Sequence, residues 1–275
     1  MTRRGNLLRN GNFVLGTTED WVIRPYDLGD EGASLTLSTP GFFGSNYKGD
    51  FYCPYKDKKY YLMYDKQVDF ESSASYLYSL LVYLDMYGAM EGVLYGLEDN
   101  GYFIDKILFG HVSDRHEWIW LNCILRRLDN LSNFKVGLMT GLISDSGFVF
   151  VGCAKLIPLA SAKDVFLKEY LTYDNVSSTF VYNGKNACLG RCKLYSVLSV
   201  SDVSGTDPQL ETIITIYPYD CPYNSCILPH TPFTTGGSQT RSIELPQLVN
   251  YNVTYNISGT NPSFTIRHLI MITPL

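Results

Sequence analysis

The sequence predicts an all-β protein made of two sheet-rich domains in series. Three observations carry that expectation. Charged residues are only 18% of the chain, below the roughly 25% of an ordinary soluble domain. The chain holds 22 Tyr, 14 Phe and 3 Trp, residues that fit a pleated, half-buried surface better than a helix. Short runs of alternating polarity recur along its length, each bounded by Gly, Pro, Asn or Asp. A length of 275 residues with 45% hydrophobic content supplies apolar material for one large or two medium cores.

From Asn6 to Pro158 the runs follow one another as strands. "GASLTLSTPG" alternates and stops at Pro40-Gly41, and "KKYYLMYDKQVDF" is rich in aromatics. In "SYLYSLLVYLDMYG", Leu80, Val82, Leu84 and Met86 fall on one face. Leu81, Tyr83, Asp85 and Tyr87 fall on the other. "EGVLYGLEDNGYFIDKILFG" reads as a hairpin turning at Asp99-Asn100-Gly101. In "HEWIWLNCILRRL", Ile119, Leu121, Cys123 and Leu125 oppose Trp118, Trp120 and Asn122. "NFKVGLMTGL" and "GFVFVGCAKLIPL" close the first domain, residues 1–158, with Pro158 expected to end its last strand. Residues 159–169, "LASAKDVFLKE", read as a linker with some helical character. From 170 to 275, short alternating runs resume, with turns such as Asn183-Gly184 and Gly236-Gly237, and describe a smaller sandwich or barrel. No fixed-period repeat is evident, and the last strand runs nearly to Leu275, so the C-terminus is expected to be tied into a sheet.

Charge narrows the partners. The net charge is −5, and no basic cluster is larger than Lys56-Asp57-Lys58-Lys59 or the pair Arg126-Arg127. A nucleic-acid surface needs a basic stripe, so nucleic acid is not expected. No apolar run is long enough for a membrane-inserted helix. Met1-Thr-Arg-Arg-Gly-Asn lacks the apolar centre of a secretory signal. The protein therefore stays inside, or the chain is mature, or it leaves by a route such as cell lysis. Of the seven cysteines, Cys53, Cys123 and Cys153 are isolated and read as small buried hydrophobes. Cys188, Cys192, Cys221 and Cys226 form Cys-x3-Cys and Cys-x4-Cys, where thiols or disulfides are favoured over zinc.

The opening stretch, Asn6-Leu7-Leu8-Arg9-Asn10-Gly11-Asn12-Phe13 followed by Trp21, resembles the first strand of carbohydrate-binding modules with the galactose-binding-like jelly roll. Further pieces resemble that family in the same order: "GASLTLS", "YYLMYDKQVDF" with "LYSLLVYLDMYG", "HEWIWLNCIL", and "FKVGLMTG" with "FVFVGCAKLIPL". The resemblance covers about the first 158 residues and implies a jelly-roll sandwich for the first domain. Such modules usually carry a Glu after the Phe and an Asp pair on the last strand, which help hold a structural calcium. Here Val14 and Gly152-Cys153 occupy those places. With those carboxylates missing, no metal and no cofactor are expected, although backbone carbonyls could still supply part of a calcium site.

Sugar recognition of this kind needs an aromatic platform with planar polar groups beside it. Tyr83, Asp85 and Tyr87, with Trp118, Trp120 and Asn122, form one if both faces look out from the same sheet. The competing readings bury these aromatics under a loop or the second domain, or place them against another copy of the chain. Catalytic residues are not assigned. "HVSDRHE" gathers His111, Asp114, His116 and Glu117, but reads as a polar loop before a strand. His230 and His268 read as structural. No nucleophile elbow, P-loop, dinucleotide fingerprint or His-Glu-x-x-His motif occurs. Two functions remain. The favoured one is a non-catalytic structural or adhesive subunit of an external assembly, such as a virion, spore layer or surface filament, with self-association expected. It would sit outside the cell or on a virion or cell surface. The alternative is a glycan-binding module with an accessory β-domain.

Overall fold

The computed structural model describes residues 6–25, 32–54, 58–66, 68, 75–85, 89–97, 103–113, 116–126, 134–140, 146–159, 167–217 and 225–275. They form seventeen strands and divide into two compact units, Met1–Ala160 and Ser161–Leu275.

The N-terminal unit contains β1 (Trp21–Pro25), β2 (Ser34–Ser38), β3 (Lys48–Cys53), β4 (Tyr60–Tyr64), β5 (Ser75–Asp85), β6 (Ala89–Leu97), β7 (Phe103–Ser113), β8 (Trp118–Arg126), β9 (Phe134–Thr140) and β10 (Gly147–Leu159). Sheet A runs β1-β4-β9-β6-β7, and sheet B has β8-β5-β10-β3-β2 side by side. Every pairing within them is antiparallel. The chain passes repeatedly from one sheet to the other, as a jelly roll requires.

The alternation read from the sequence sets the core. Leu80, Val82 and Leu84 of β5 are buried beside Ile119, Leu121, Cys123 and Leu125 of β8 and Val149 and Val151 of β10. Sheet A answers with Tyr60, Leu62, Val136 and Leu138. Tyr78 reaches from β5 to donate to the Gly137 carbonyl of β9 at 3.0 Å, which fixes the two sheets face to face. Burial holds the Cys53 thiol up at about 12 and the Cys153 thiol at about 11, so both stay protonated and inert. Replacing Leu121, fully buried and opposite Leu80, with alanine is expected to cost about 2–5 kcal/mol in denaturant unfolding. A loss below about 0.5 kcal/mol would mark it as a surface position instead.

The opening motif is not a strand. Residues 6–16 form successive turns that close the edge of β10 beyond its pairing with β3. Asn6 donates from Nδ2 to the Ala154 carbonyl at 2.9 Å and accepts from Leu156 N at 2.7 Å. Leu7 N donates to Leu156 O, and Ala154 N to Gly11 O. Gly11 is required here, because a Cβ would lie 2.1 Å from the Ala154 carbonyl oxygen. Pro158 does not end β10, which continues to Leu159 opposite Ser75. Residues 154 and 156 turn their N–H groups to the opening segment rather than to β5. Pro158 has the same parity, so its missing N–H takes no bond from the β5 ladder.

The C-terminal unit contains β11 (Leu167–Val176), β12 (Phe180–Asn183), β13 (Asn186–Leu189), β14 (Cys192–Tyr217), β15 (Cys226–Pro229), β16 (Gly237–Leu245) and β17 (Asn250–Pro274). β11 begins within the stretch read as linker, and residues 160–166 lie outside the described residues. β14 and β17, of 26 and 25 residues, pair antiparallel along their whole length. Their register shifts only between Ser201 and Gln209. In that middle stretch Ser204-Gly205-Thr206-Asp207-Pro208 of β14 lies beside Ser258-Gly259-Thr260-Asn261-Pro262 of β17. Gly205 (φ 110°) approaches the Thr260 and Asn261 carbonyls, and Gly259 (φ 119°) approaches those of Thr206 and Asp207.

These matched segments expose an internal duplication that the sequence reading missed. β11, β12 and β14 form one short-short-long set, and β15, β16 and β17 form the other. Each short pair lies on the other set's long strand: β11 and β12 on β17, β15 and β16 on β14. Leu171 opposite His268 corresponds to Leu228 opposite Ile214. The result is two leaves, β16-β14-β17-β11 and β15-β14-β17-β12, made from opposite halves of the long strands. Their side chains meet in a common core: Tyr255 of one leaf is hydrogen-bonded to His268 of the other. The repeat escaped notice because around each bend only four residues, Ser-Gly-Thr and the Pro, keep their identity, with Asp207 matched by Asn261.

Candidate functional site

The outward face of β8, β5 and β10 carries the candidate site. Register places Trp118 beside Tyr83, and Tyr83 beside Phe150, so three rings line up across three strands. Tyr83 lies 5.7 Å from Trp118 and 5.9 Å from Phe150, centroid to centroid. Phe148, one pleat along β10, stacks on Phe150 at 5.7 Å and contacts Tyr52 of β3 at 5.0 Å.

The loop between β2 and β3 adds two more rings. Phe42 meets Trp118 edge-on at 4.5 Å, and Phe43 lies 5.5 Å from Trp120. Gly152 makes room for this contact. A Cβ there would come within 3.0 Å of the Phe42, Leu81 and Trp118 side chains. The rings are not sealed over: Phe43 is 55% exposed, Trp118 37% and Phe148 36%.

Polar groups border the rings. The Lys155 ammonium stands 3.9 Å from the Phe43 ring centre and 5.2 Å from that of Trp120. Lys48 stands 4.1 Å from the Phe150 ring centre and is paired with Asp50 at 3.0 Å. Such cation–ring contacts hold flexible lysines against the face. Asp85 lies at the far end, 3.5 Å from His116 Nδ1, and Asn122 accepts from Ser79 Oγ at 2.8 Å.

Of the residues expected from the sequence, Tyr83, Asp85, Trp118, Trp120 and Asn122 therefore share one sheet face. Tyr87 lies outside the described residues. Leu81, on the same face, is buried among Gly152 and its neighbours rather than offered to a ligand. Sequence reading missed Phe42, Phe43, Phe148, Phe150, Tyr52, Lys48 and Lys155. The alternation Phe148-Val149-Phe150-Val151 was the available signal for two of them.

Of the groups considered for chemistry, the His111 side chain lies outside the described residues. His116 is exposed beside Asp85, Asp114 lies outside the described residues, and His230 and His268 are buried in the C-terminal unit. Cys192 is a buried thiol and Cys226 a half-buried one, while Cys221 lies outside the described residues. Val14 is exposed, and Gly152-Cys153 sit at the irregularity of β10. Among the described residues, no three His, Cys, Asp or Glu side chains converge as metal ligands. No helix among them is long and apolar enough to cross a membrane.

No family model matches the chain, and no curated protein matches it. Among solved structures, it is similar to the enzymatically active domain of tailspike protein 4 of bacteriophage CBA120, at 10% identity and a TM-score of 0.46. That match covers 56% of this chain and 21% of the tailspike chain, so the protein spans about a fifth of that relative's length. It is similar to the N-terminal CBM22-1–CBM22-2 tandem domain of Paenibacillus barcinonensis Xyn10C, at 10% identity over 98% of each chain and a TM-score of 0.42. It is also similar to TmCBM61 in complex with β-1,4-galactotriose, at 14% identity over 56% of this chain and 99% of that one, with a TM-score of 0.40.

Proposed function

We propose that this protein is a non-catalytic, adhesive subunit of an external assembly that contacts glycan through the outward face of β8, β5 and β10. The observation that carries the reading is the row Trp118–Tyr83–Phe150, extended by Phe43, Trp120 and Phe148, with open rings and polar groups at its borders. Flat rings cover the apolar C–H faces of pyranoses, while amide, carboxylate and ammonium groups accept or donate to the hydroxyls. A second reading, self-association, draws on Tyr170 and Ile227, at equivalent places in the two repeats. They are 71% and 59% exposed, the two highest values among the exposed large hydrophobic side chains of the described residues.

Trp120→Ala, beside the double variant Tyr170→Ser with Ile227→Ser, separates the two. Its ring packs on Phe43 and Lys155 at the surface, so the fold should survive. Expected is a loss of at least about tenfold in affinity for the bound oligosaccharide, with unchanged molecular mass by light scattering, as base–ring-sized stacking energies of about 1.5 kcal/mol imply. Loss of assembly in the Tyr170–Ile227 double variant, with no oligosaccharide of a broad panel bound by the wild type, would favour self-association. No change in either property would reduce Trp120 to a packing residue.

A further inference from the structure

Four buried side chains of the C-terminal unit form one hydrogen-bonded chain. Ser196 Oγ of β14 lies 2.7 Å from His230 Nε2 and 2.6 Å from His268 Nε2. His268 Nδ1 is 2.7 Å from Tyr255 Oη. None of the four is more than 2% exposed. Ser196 and His268 belong to the leaf built on β16 and β11, whereas Tyr255 and His230 belong to the leaf built on β15 and β12. The chain therefore ties one leaf to the other.

The internal duplication supplies a comparison within the same molecule. Where one repeat has His268, the other has Ile214, equally buried and also facing a leucine. Where one has His230, whose N–H bonds the Thr212 carbonyl, the other has Tyr173. The same backbone thus closes its core with an isoleucine on one side and with imidazole on the other. The fold does not require the imidazoles, and a buried polar chain is costly unless every member is satisfied.

The proton count makes this chain sensitive. A serine hydroxyl has one proton, so Ser196 donates to one Nε2 and accepts from the other, and the two rings take opposite roles about it. Adding a proton to the accepting Nε2 points two donors at one oxygen and leaves the serine proton without an acceptor. His230 Nδ1 is buried and makes no hydrogen bond, and the neighbouring Gln239 side chain favours a proton on this ring less than burial and Arg241 oppose it. Among the described residues, neither ring is paired with a carboxylate. β16 presents Arg241 and Gln239 to His230, and the Arg241 charge opposes a second cation. Tyr173 of β11 packs on Tyr255. Glu169 of β11 is already engaged by Tyr251 and by the Lys185 N–H.

We propose that Ser196, His230, His268 and Tyr255 form an acid-sensitive latch that holds the two leaves together at neutral pH and releases them on acidification. Burial first, and then Arg241, lowers the His230 pKa to about 4; burial and the neighbouring His230 lower that of His268 to about 3. Both lie below the roughly 6.5 of an unfolded histidine. The opened state then binds up to two more protons than the closed one. Closure is fully favoured above pH ~6.5 and weakens as pH falls toward 4, by up to about tenfold per proton per pH unit.

The test is hydrogen exchange of the full chain at pH 7, 6 and 5, corrected for intrinsic rates, read at the amides of β14 and β17. Protection in the wild type should fall about 100-fold from pH 6 to pH 5. In His268→Ile combined with Ser196→Ala, it should fall only about tenfold, because one titrating ring remains. Constant wild-type protection from pH 7 to 5, or equal slopes in the two proteins, would overturn the latch. Should the variant not fold, the ring signals of wild-type His230 and His268 decide by NMR. Neutral rings in the folded protein at pH 5 support the latch, and titration near pH 6.5 without opening refutes it.

Discussion

Replacing Phe13 with alanine is expected to destabilise the N-terminal unit by about 3–5 kcal/mol, the range for deleting a fully buried aromatic ring. Phe13 is 0% exposed and held at φ 57° by the turns of the opening segment. Its ring stacks on Trp21 at 5.6 Å and occupies the space above Gly49, where a Cβ would stand 2.5 Å from its Cζ. Trp21 Nε1 in turn donates to the Asn10 carbonyl, and buried Asn10 accepts from Leu15 N and donates to Thr17 O. Removing the ring leaves a cavity between β3 and the segment that seals β10. The backbone cannot easily collapse into it, because Asn6, Leu7 and Gly11 are bonded to β10 on the far side. Denaturant midpoints of the full chain, with a transition assigned to the N-terminal unit, measure the cost. A change under about 1 kcal/mol would mean the opening motif docks without holding the core.

Gly152→Val is expected to weaken glycan binding by about tenfold or more while leaving the core intact, since about 1.4 kcal/mol of lost contact suffices. Gly152 has no side chain to lose, and its backbone needs no left-handed conformation. The added Cβ would meet Phe42, Leu81 and Trp118 at 2.9 to 3.0 Å. Leu81 is pinned in the sheet, so Phe42 and Trp118 must turn away, and the edge-on contact between them at 4.5 Å is lost. The outer row then no longer presents a continuous flat surface. Calorimetric titration with an oligosaccharide bound by the wild type reads the effect. Equal affinity would separate the Phe42–Trp118 corner from the binding face.

How much of this was legible follows from which side chains the chain places locally. The faces of β5 and β8 were legible because a pleated strand reverses side every residue, and Leu80-Val82-Leu84 against Tyr83-Asp85 states that period plainly. Trp118 and Trp120 were legible for the same reason. Phe42 and Phe43 were not, because a loop distant in sequence carries them to the tryptophans. Phe148 and Phe150 were masked by valines of similar hydropathy on the buried face. Asn6–Phe13 read as a strand because its composition resembles one, but the left-handed φ of Phe13 and the side-chain bonds of Asn6 and Asn10 are tertiary facts. The duplication in β14 and β17 left only the residues that pack glycine against carbonyl at each bend. His230 and His268 were read as structural and are both buried, while their shared bond to Ser196 emerged only once the leaves were brought together.

The most direct measurement of the glycan-contact account is fluorine NMR of protein labelled with 5-fluorotryptophan. The chain has 3 tryptophans, of which Trp21 is buried under Phe13, while Trp118 and Trp120 lie in the aromatic row. Titration with a panel of neutral and acidic oligosaccharides should shift the Trp118 and Trp120 resonances together and leave Trp21 in place. If every oligosaccharide in the panel leaves all three resonances unmoved, or moves Trp21 alone, the outward face of β8, β5 and β10 is not a glycan surface.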